Sequence, residues 1–123
     1  MARLVYIVVT SDCPLWIKNL IILILTLPLI ALKISPDLTA KHLDTISKSI
    51  IKNRIDAVIA TNTTITRESV SDLINGKQVG GMSGKPLFKL SNSIIRELHA
   101  RLQGEIPIIG VGGIFSGEDA LEK

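Results

Sequence analysis

At 123 residues the chain has the length of about one small domain, and a composition 46% apolar and 20% charged excludes a disordered chain, a collagen-like repeat and an acidic solvating tail. A net charge of +3 is too small to indicate an acidic partner, and one Trp, one Tyr and two Phe are too few for base stacking along a nucleic acid, so no nucleic-acid partner is expected. The single cysteine, Cys13, excludes an internal disulfide and has no second cysteine with which to hold a metal, so it reads as an inert thiol in a reducing compartment.

Residues 1–32 carry only Arg3, Asp12 and Lys18, and the composition changes near Lys33. The uncharged run from Asn19 to Leu32 is shorter than the about 20 apolar residues that a bilayer span needs, and Pro28 interrupts it. Arg3 and the region of Ala31 meet the pattern of a secretory signal only loosely. The alternative is a pair of buried strands, Leu4 to Val9 and Leu27 to Ile34, around a poorly patterned stretch. Residues 1–26 are therefore set apart as a hydrophobic amino-terminal segment without assigned architecture. Tyr6 and Trp16 within it suit either a core or a membrane interface.

From residue 27 the chain becomes regular. Leu27, Leu29, Ile30, Ala31, Leu32 and Ile34 form a short apolar run stopped by Ser35, Pro36 and Asp37, the mark of a strand buried on both faces. Thr39 is placed to cap a helix whose Leu43, Ile46 and Ile50 recur at spacings of three and four, and Asn53 ends it. Ile55 to Thr61 reads as a second buried strand that runs directly into Asn62, Thr63 and Thr64. A loop through Gly80, Gly81 and Gly84 leads to a helix from about Ser91 to Gln103, with Ile94, Ile95, Leu98 and Leu102 facing inward and Gly104 ending it. Pro107 to Val111 forms a third strand, Gly112 and Gly113 turn the chain, and Ser116 with Asp119 starts a further helix through a capping box.

Strands alternating with helices over short connections predict an α/β fold with a parallel sheet, because parallel neighbours need a crossover helix. Ligands in such sheets bind beyond the carboxyl ends of the strands, which directs attention to Lys33, Thr61, Asn62 and the Gly112–Gly113 turn. A lysine closing an apolar strand is costly to bury without an anion or polar ligand, so Lys33 is either a ligand-facing cation or a side chain reaching the rim. The hydroxyls and amide of Thr61, Asn62, Thr63 and Thr64 suit a heteroaromatic ring with alternating donors and acceptors, or else simply form a turn. Asn62-Thr63-Thr64 also fits the N-glycosylation pattern, which a chain with one cysteine and no convincing secretory signal disfavours. His42 and His99 stand on predicted helices without a partner at metal-ligand spacing; they are expected to face solvent, and no metal is expected.

The run from Gly80 to Pro86 is one residue short of a Walker loop and has Pro86 where that loop has Ser or Thr. Phe115 stands where a dinucleotide fingerprint after Gly110 requires glycine. What remains at the second glycine cluster is a nest of backbone amides at a helix start, suited to a phosphate monoester.

Four segments, LPLIALKISPDLT, IDAVIATNTT, GGMSGKPL and IPIIGVGGI, resemble in order and spacing the quinone-using, class 2 dihydroorotate dehydrogenases, over residues 27–123. The resemblance implies a partial TIM (β/α)8 barrel, its three units similar to the fifth, sixth and seventh of eight, holding flavin mononucleotide (FMN). Lys33 matches the family's flavin-contacting lysine and Thr61 a second flavin contact, while Gly84 and Gly113 match glycines whose amides approach the flavin or its phosphate. Asn62 and Thr63 match residues that hydrogen-bond orotate. The implied reaction is oxidation of dihydroorotate to orotate in pyrimidine synthesis, with hydride passing to FMN and electrons leaving to a quinone. The implied location is a membrane surface, the cytoplasmic side of the inner membrane or the mitochondrial inner membrane, with peripheral association.

The departures are equally specific. A barrel takes about 250 residues, and the family's serine base has no counterpart in residues 1–26; Ser35 lies in the wrong motif to replace it, so no catalytic residue is assigned. The Tyr-Thr phosphate contacts of the eighth strand are expected beyond Lys123. The chain is thus expected to be a fragment. The alternatives are a catalytically inactive truncated product and a half-barrel that binds FMN or another phosphate without redox chemistry.

Overall fold

The computed structural model describes residues 29–123; the hydrophobic segment 1–26, the strand expected at Leu4 to Val9, and Cys13 lie outside the described residues. In chain order the elements are β1 (Ala31–Ile34), α1 (Ala40–Lys52), β2 (Ala57–Ala60), 3-10 turns at Glu68–Val70 and Lys85–Leu87, α2 (Phe88–Leu102), β3 (Ile108–Gly110) and α3 (Gly117–Glu122). The strands form one parallel sheet in the order β1-β2-β3, as the alternation of elements predicts. Lys33 stands opposite Ile59, and Ile59 opposite Ile109, in one row across the sheet.

Each helix forms where its sequence supplies a start. Thr39 adopts an extended backbone and its Oγ1 accepts from the His42 amide at 3.2 Å, while Nδ1 of His42 accepts from the Thr39 amide at 3.4 Å. This capping box satisfies two amides that the first turn leaves without helical partners. His42 is exposed, as is His99. Asn53 closes α1, its amide bonding the Ser49 carbonyl at 3.0 Å. Ser116 and Asp119 form the expected capping box at the head of α3.

Helix α2 begins at Phe88, three residues before the expected start at Ser91. Pro86 lies in the first turn of the preceding 3-10 segment, where its fixed φ is already helical, and α2 continues directly from that turn. The helix ends at Gln103, which takes the left-handed conformation itself (φ 52°) and is followed by Gly104 at φ 79°. The strands are shorter than the apolar runs, and β2 starts late because Ile55 is still held by the last turn of α1 through its amide and the Ile50 carbonyl at 3.1 Å.

The core lies between the sheet and the two long helices. Ile34, Val58 and Ala60 from the strands pack with Leu43 and Ile50 of α1 and Ile94, Ile95, Leu98 and Leu102 of α2. Removing each Val, Leu or Ile side chain among them from water contributes roughly 1.5–3 kcal/mol. All four inward positions expected for α2 are in this core. Among the described residues nothing covers the opposite face of the sheet: Lys33 and Ile109 are exposed, and Ile59 is half-buried. Among the described residues, no helix is long and apolar enough to cross a membrane.

Candidate functional site

The carboxyl ends of the three strands are tied to one another by backbone bonds just past the ladder. The Asn62 amide donates to the Ile34 carbonyl at 2.7 Å, joining the end of β1 to the loop after β2. Thr61 donates to the Val111 carbonyl at 3.1 Å, and Val111 donates to the Ala60 carbonyl at 2.6 Å. These bonds bring Thr61–Thr63, the residue following Lys33, and the Gly112–Gly113 turn to one end of the sheet. The Ala60–Thr61 peptide is cis.

Lys33 is exposed and, among the described residues, its ammonium has no hydrogen-bond or ion-pair partner. The burial that a strand lysine would suffer is avoided because it lies on the uncovered face, one residue from the buried Ile34. Thr61 is 2% exposed, and its hydroxyl donates to the Asn62 carbonyl at 2.9 Å. Asn62 and Thr63 are exposed. A Cβ at Gly81 would collide with the Thr63 side chain, which brings the first glycine cluster against the polar loop.

The two glycines expected to approach a cofactor are glycine for different reasons. Gly84 has φ 82° and ψ −161°, a region that essentially only glycine occupies, and a Cβ there would meet nothing closer than 3.9 Å. Gly113 is buried with φ 74°, and a Cβ would stand 2.9 Å from the Phe88 nitrogen and 2.8 Å from its Cα. Gly113 is therefore also required for packing against the start of α2. Beside it, Ser91 donates to the Gly112 carbonyl at 3.3 Å. Lys123 places its ammonium 2.6 Å from Ser91 Oγ and 2.7 Å from Asn92 Oδ1, 5.0 Å from the centre of the Phe88 ring. Burial lowers the pKa of this ammonium, against the opposing charges of Glu122 and Asp119.

Motif reading missed the residues that hold the loop after β2. Asp37 accepts from the Thr64 hydroxyl through Oδ1 and from the Ile65 amide through Oδ2 at 2.9 Å. Thr64 is 1% exposed, and its backbone pairs with Met82 through bonds of 3.0 and 2.7 Å. The Arg67 guanidinium gathers the carbonyls of Thr64 at 3.3 Å, Thr66 at 3.1 Å, Gln78 at 3.3 Å and Gly80. Asp37 was visible only as a turn residue after a strand, and its partners lie 27 and 28 positions away. Among the described residues, no group of three His, Cys, Asp or Glu is placed to hold a metal ion.

Three consecutive strand–helix units around a parallel sheet, with polar and glycine residues collected at the carboxyl ends, are a segment of a (β/α) barrel. A family model described as dihydroorotate dehydrogenase matches residues 11–123, and the chain belongs to that family, one of flavin-dependent oxidoreductases. Relatives named dihydroorotate dehydrogenase (quinone) from Shewanella sp. (strain W3-18-1) and Shewanella putrefaciens (strain CN-32 / ATCC BAA-453) are each 60% identical over 94 residues, 76% of this chain and 28% of theirs. The chain thus spans little more than a quarter of the length of these relatives. Crystal structures of DHODH from Eimeria tenella superpose with a TM-score of 0.74. The ferulenol complex is 35% identical, covering 77% of this chain and 25% of that one. The ligand-free type is 34% identical, covering 78% and 27%.

Proposed function

We propose that this chain carries part of the flavin and orotate site of a quinone-reducing dihydroorotate dehydrogenase. Residues 27–123 are read as a partial FMN-binding barrel and residues 1–26 as a separate hydrophobic segment. The observation that carries the reading is the convergence of an unpartnered cation, an exposed amide–hydroxyl pair and a glycine in a glycine-only conformation at one end of a parallel sheet.

These residues fit FMN. Lys33 offers a positive charge on the uncovered face of the sheet, suited to the electron-rich pyrimidine edge of the isoalloxazine ring. Gly84 leaves open the space that any other side chain would occupy, so its backbone accepts close approach of a planar ring or its phosphate. Gly113 supplies an amide in the same region, and Thr61 keeps hydroxyl lone pairs after donating to Asn62. FMN, when bound, supplies the two-electron acceptor that the oxidation requires.

The work of this chain is orientation. Asn62 and Thr63 present an amide and a hydroxyl to the ring of orotate or dihydroorotate, and fixing that ring converts encounter into a positioned reaction. No residue here is assigned as the base that removes the substrate's proton. Electrons leave to a quinone, which places the protein at a membrane surface: the cytoplasmic side of the inner membrane, or the mitochondrial inner membrane in a eukaryote.

The test is a graft. The matched 94 residues replace the corresponding stretch of the Shewanella putrefaciens relative, and the purified hybrid is measured for bound flavin absorbance and dihydroorotate-dependent quinone reduction. Retention of both supports the reading; a folded but colourless hybrid overturns it.

A further inference from the structure

Between Ala60 and Thr64 burial changes sharply: Ala60, Thr61 and Thr64 are buried, while Asn62 and Thr63 alone are exposed. The exposed pair is pinned on both sides. On one side the Asn62 amide donates to the Ile34 carbonyl at 2.7 Å. On the other, Thr64 is held by its hydroxyl bond to Asp37, with the Ile65 amide bonded to the second carboxylate oxygen at 2.9 Å. One anchor is the last residue of β1 and the other lies in the short stretch that follows it.

That stretch is itself rigid. Pro36 is buried, and the Asp37 amide donates to Ser35 Oγ at 3.1 Å, which closes a turn and aims the carboxylate at the neighbouring loop. A carboxylate accepts at both oxygens, and here both acceptors are engaged by adjacent residues of one segment. Through the Thr64–Met82 pairing the same clamp reaches the loop that carries Gly84.

We propose that Asp37 is a positioning residue for the substrate-binding pair Asn62–Thr63, an inference that rests on the reading of that pair given above. It does not touch substrate; it fixes the chain on which the two contacts ride. An orotate ring held by two hydrogen bonds tolerates little displacement of either, whereas flavin retention also draws on Lys33 and Gly113, which Asp37 does not hold.

The experiment compares Asp37→Ala, Asp37→Asn and Thr64→Val in the graft hybrid, measuring orotate affinity, flavin content and the separate effects on KM and kcat. Asp37→Ala is expected to weaken orotate binding by about 10- to 100-fold with a much smaller loss of flavin content. Asp37→Asn, which keeps an oxygen for the Ile65 amide, should recover part of the loss, and Thr64→Val should reproduce part of it. Unaltered orotate affinity in Asp37→Ala, or parallel loss of flavin and orotate, overturns the proposal. Where Asp37→Ala fails to fold, Thr64→Val decides: unaltered orotate affinity overturns the proposal. Amide hydrogen exchange on the purified chain separates this outcome from failure of the functional reading. Exchange at Ile65 should rise at least about tenfold in Asp37→Ala relative to amides within α2, since the amide loses its acceptor. If the unsubstituted hybrid binds no orotate, the functional reading fails; if Ile65 exchange is unchanged, the clamp itself fails.

Discussion

Lys33 and Gly113 show how differently single residues enter the candidate site. Lys33 contributes a charge and little packing, since its side chain lies on the uncovered face of the sheet. Lys33→Ala in the graft hybrid is therefore expected to leave the unfolding free energy within about 0.5 kcal/mol of the parent, while reduced flavin is retained less well than oxidised flavin, read from the spectrum after dialysis under each condition. Gly113 is bound to the fold itself. Gly113→Ala meets both the positive φ and the backbone of Phe88, and should cost about 2–4 kcal/mol in denaturant unfolding. Gly84→Ala meets only the conformational penalty, because the space around it is open, and should cost about 1–3 kcal/mol. A larger loss at Gly84 than at Gly113 in the same titration would contradict this assignment. The left-handed Gln103, rather than Gly104 alone, ends α2, a reminder that a side chain adjacent to glycine shares the reversal when the turn needs two such residues.

Among the elements, α1 contains one local inconsistency. Ser47 is buried on its core side, and its Oγ is the only buried side-chain polar atom without a hydrogen-bond partner among the described residues. A buried hydroxyl left unmatched costs about 1–3 kcal/mol, and alanine has the better helix propensity. Ser47→Ala is thus expected to raise the urea midpoint with an unchanged slope, a gain of about 1 kcal/mol in unfolding free energy. Leu98 on α2 is the opposite case. It is fully buried between sheet and helices, and Leu98→Ala should cost about 2–5 kcal/mol in the same measurement. The two helices are also joined at the surface, where Arg101 of α2 bonds Asp44 of α1 at 2.6 Å and Glu97 of its own helix. Those two carboxylates raise the guanidinium pKa, Glu97 first; both carboxylates are exposed and their attraction is screened by salt, so the helix contact depends on the apolar core beneath it.

For the whole molecule, the uncovered sheet face and the three-strand ladder determine how the isolated chain should behave. Ile109 is 50% and Phe115 69% exposed, and a short parallel sheet offers strand edges to other chains. Light scattering of the purified chain should show concentration-dependent association, and the graft hybrid, in which barrel neighbours cover that face, should not; a monodisperse monomeric chain at high concentration would refute this. Much of the architecture was legible beforehand because it depends on local pattern. The apolar runs ending at Ile34, Thr61 and Val111, the last two each one residue past the observed strand end, the stripe Leu43–Ile46–Ile50 and the caps at Thr39 and Ser116 each follow from side-chain type and spacing within a few residues. The alternation of those elements carries the parallel sheet, and the glycine and polar residues at the strand ends mark the end of the sheet where a ligand would sit. What the order of residues did not disclose is contact between distant positions. That Lys33 is exposed on an uncovered face, that Gly113 is excluded from having a side chain by Phe88, and that Asp37 grips Thr64 and Ile65 were decided only when the chain folded. The physical reason is that periodicity and capping are short-range, whereas burial, close approach and the partner of a carboxylate are set by which loops the sheet brings together.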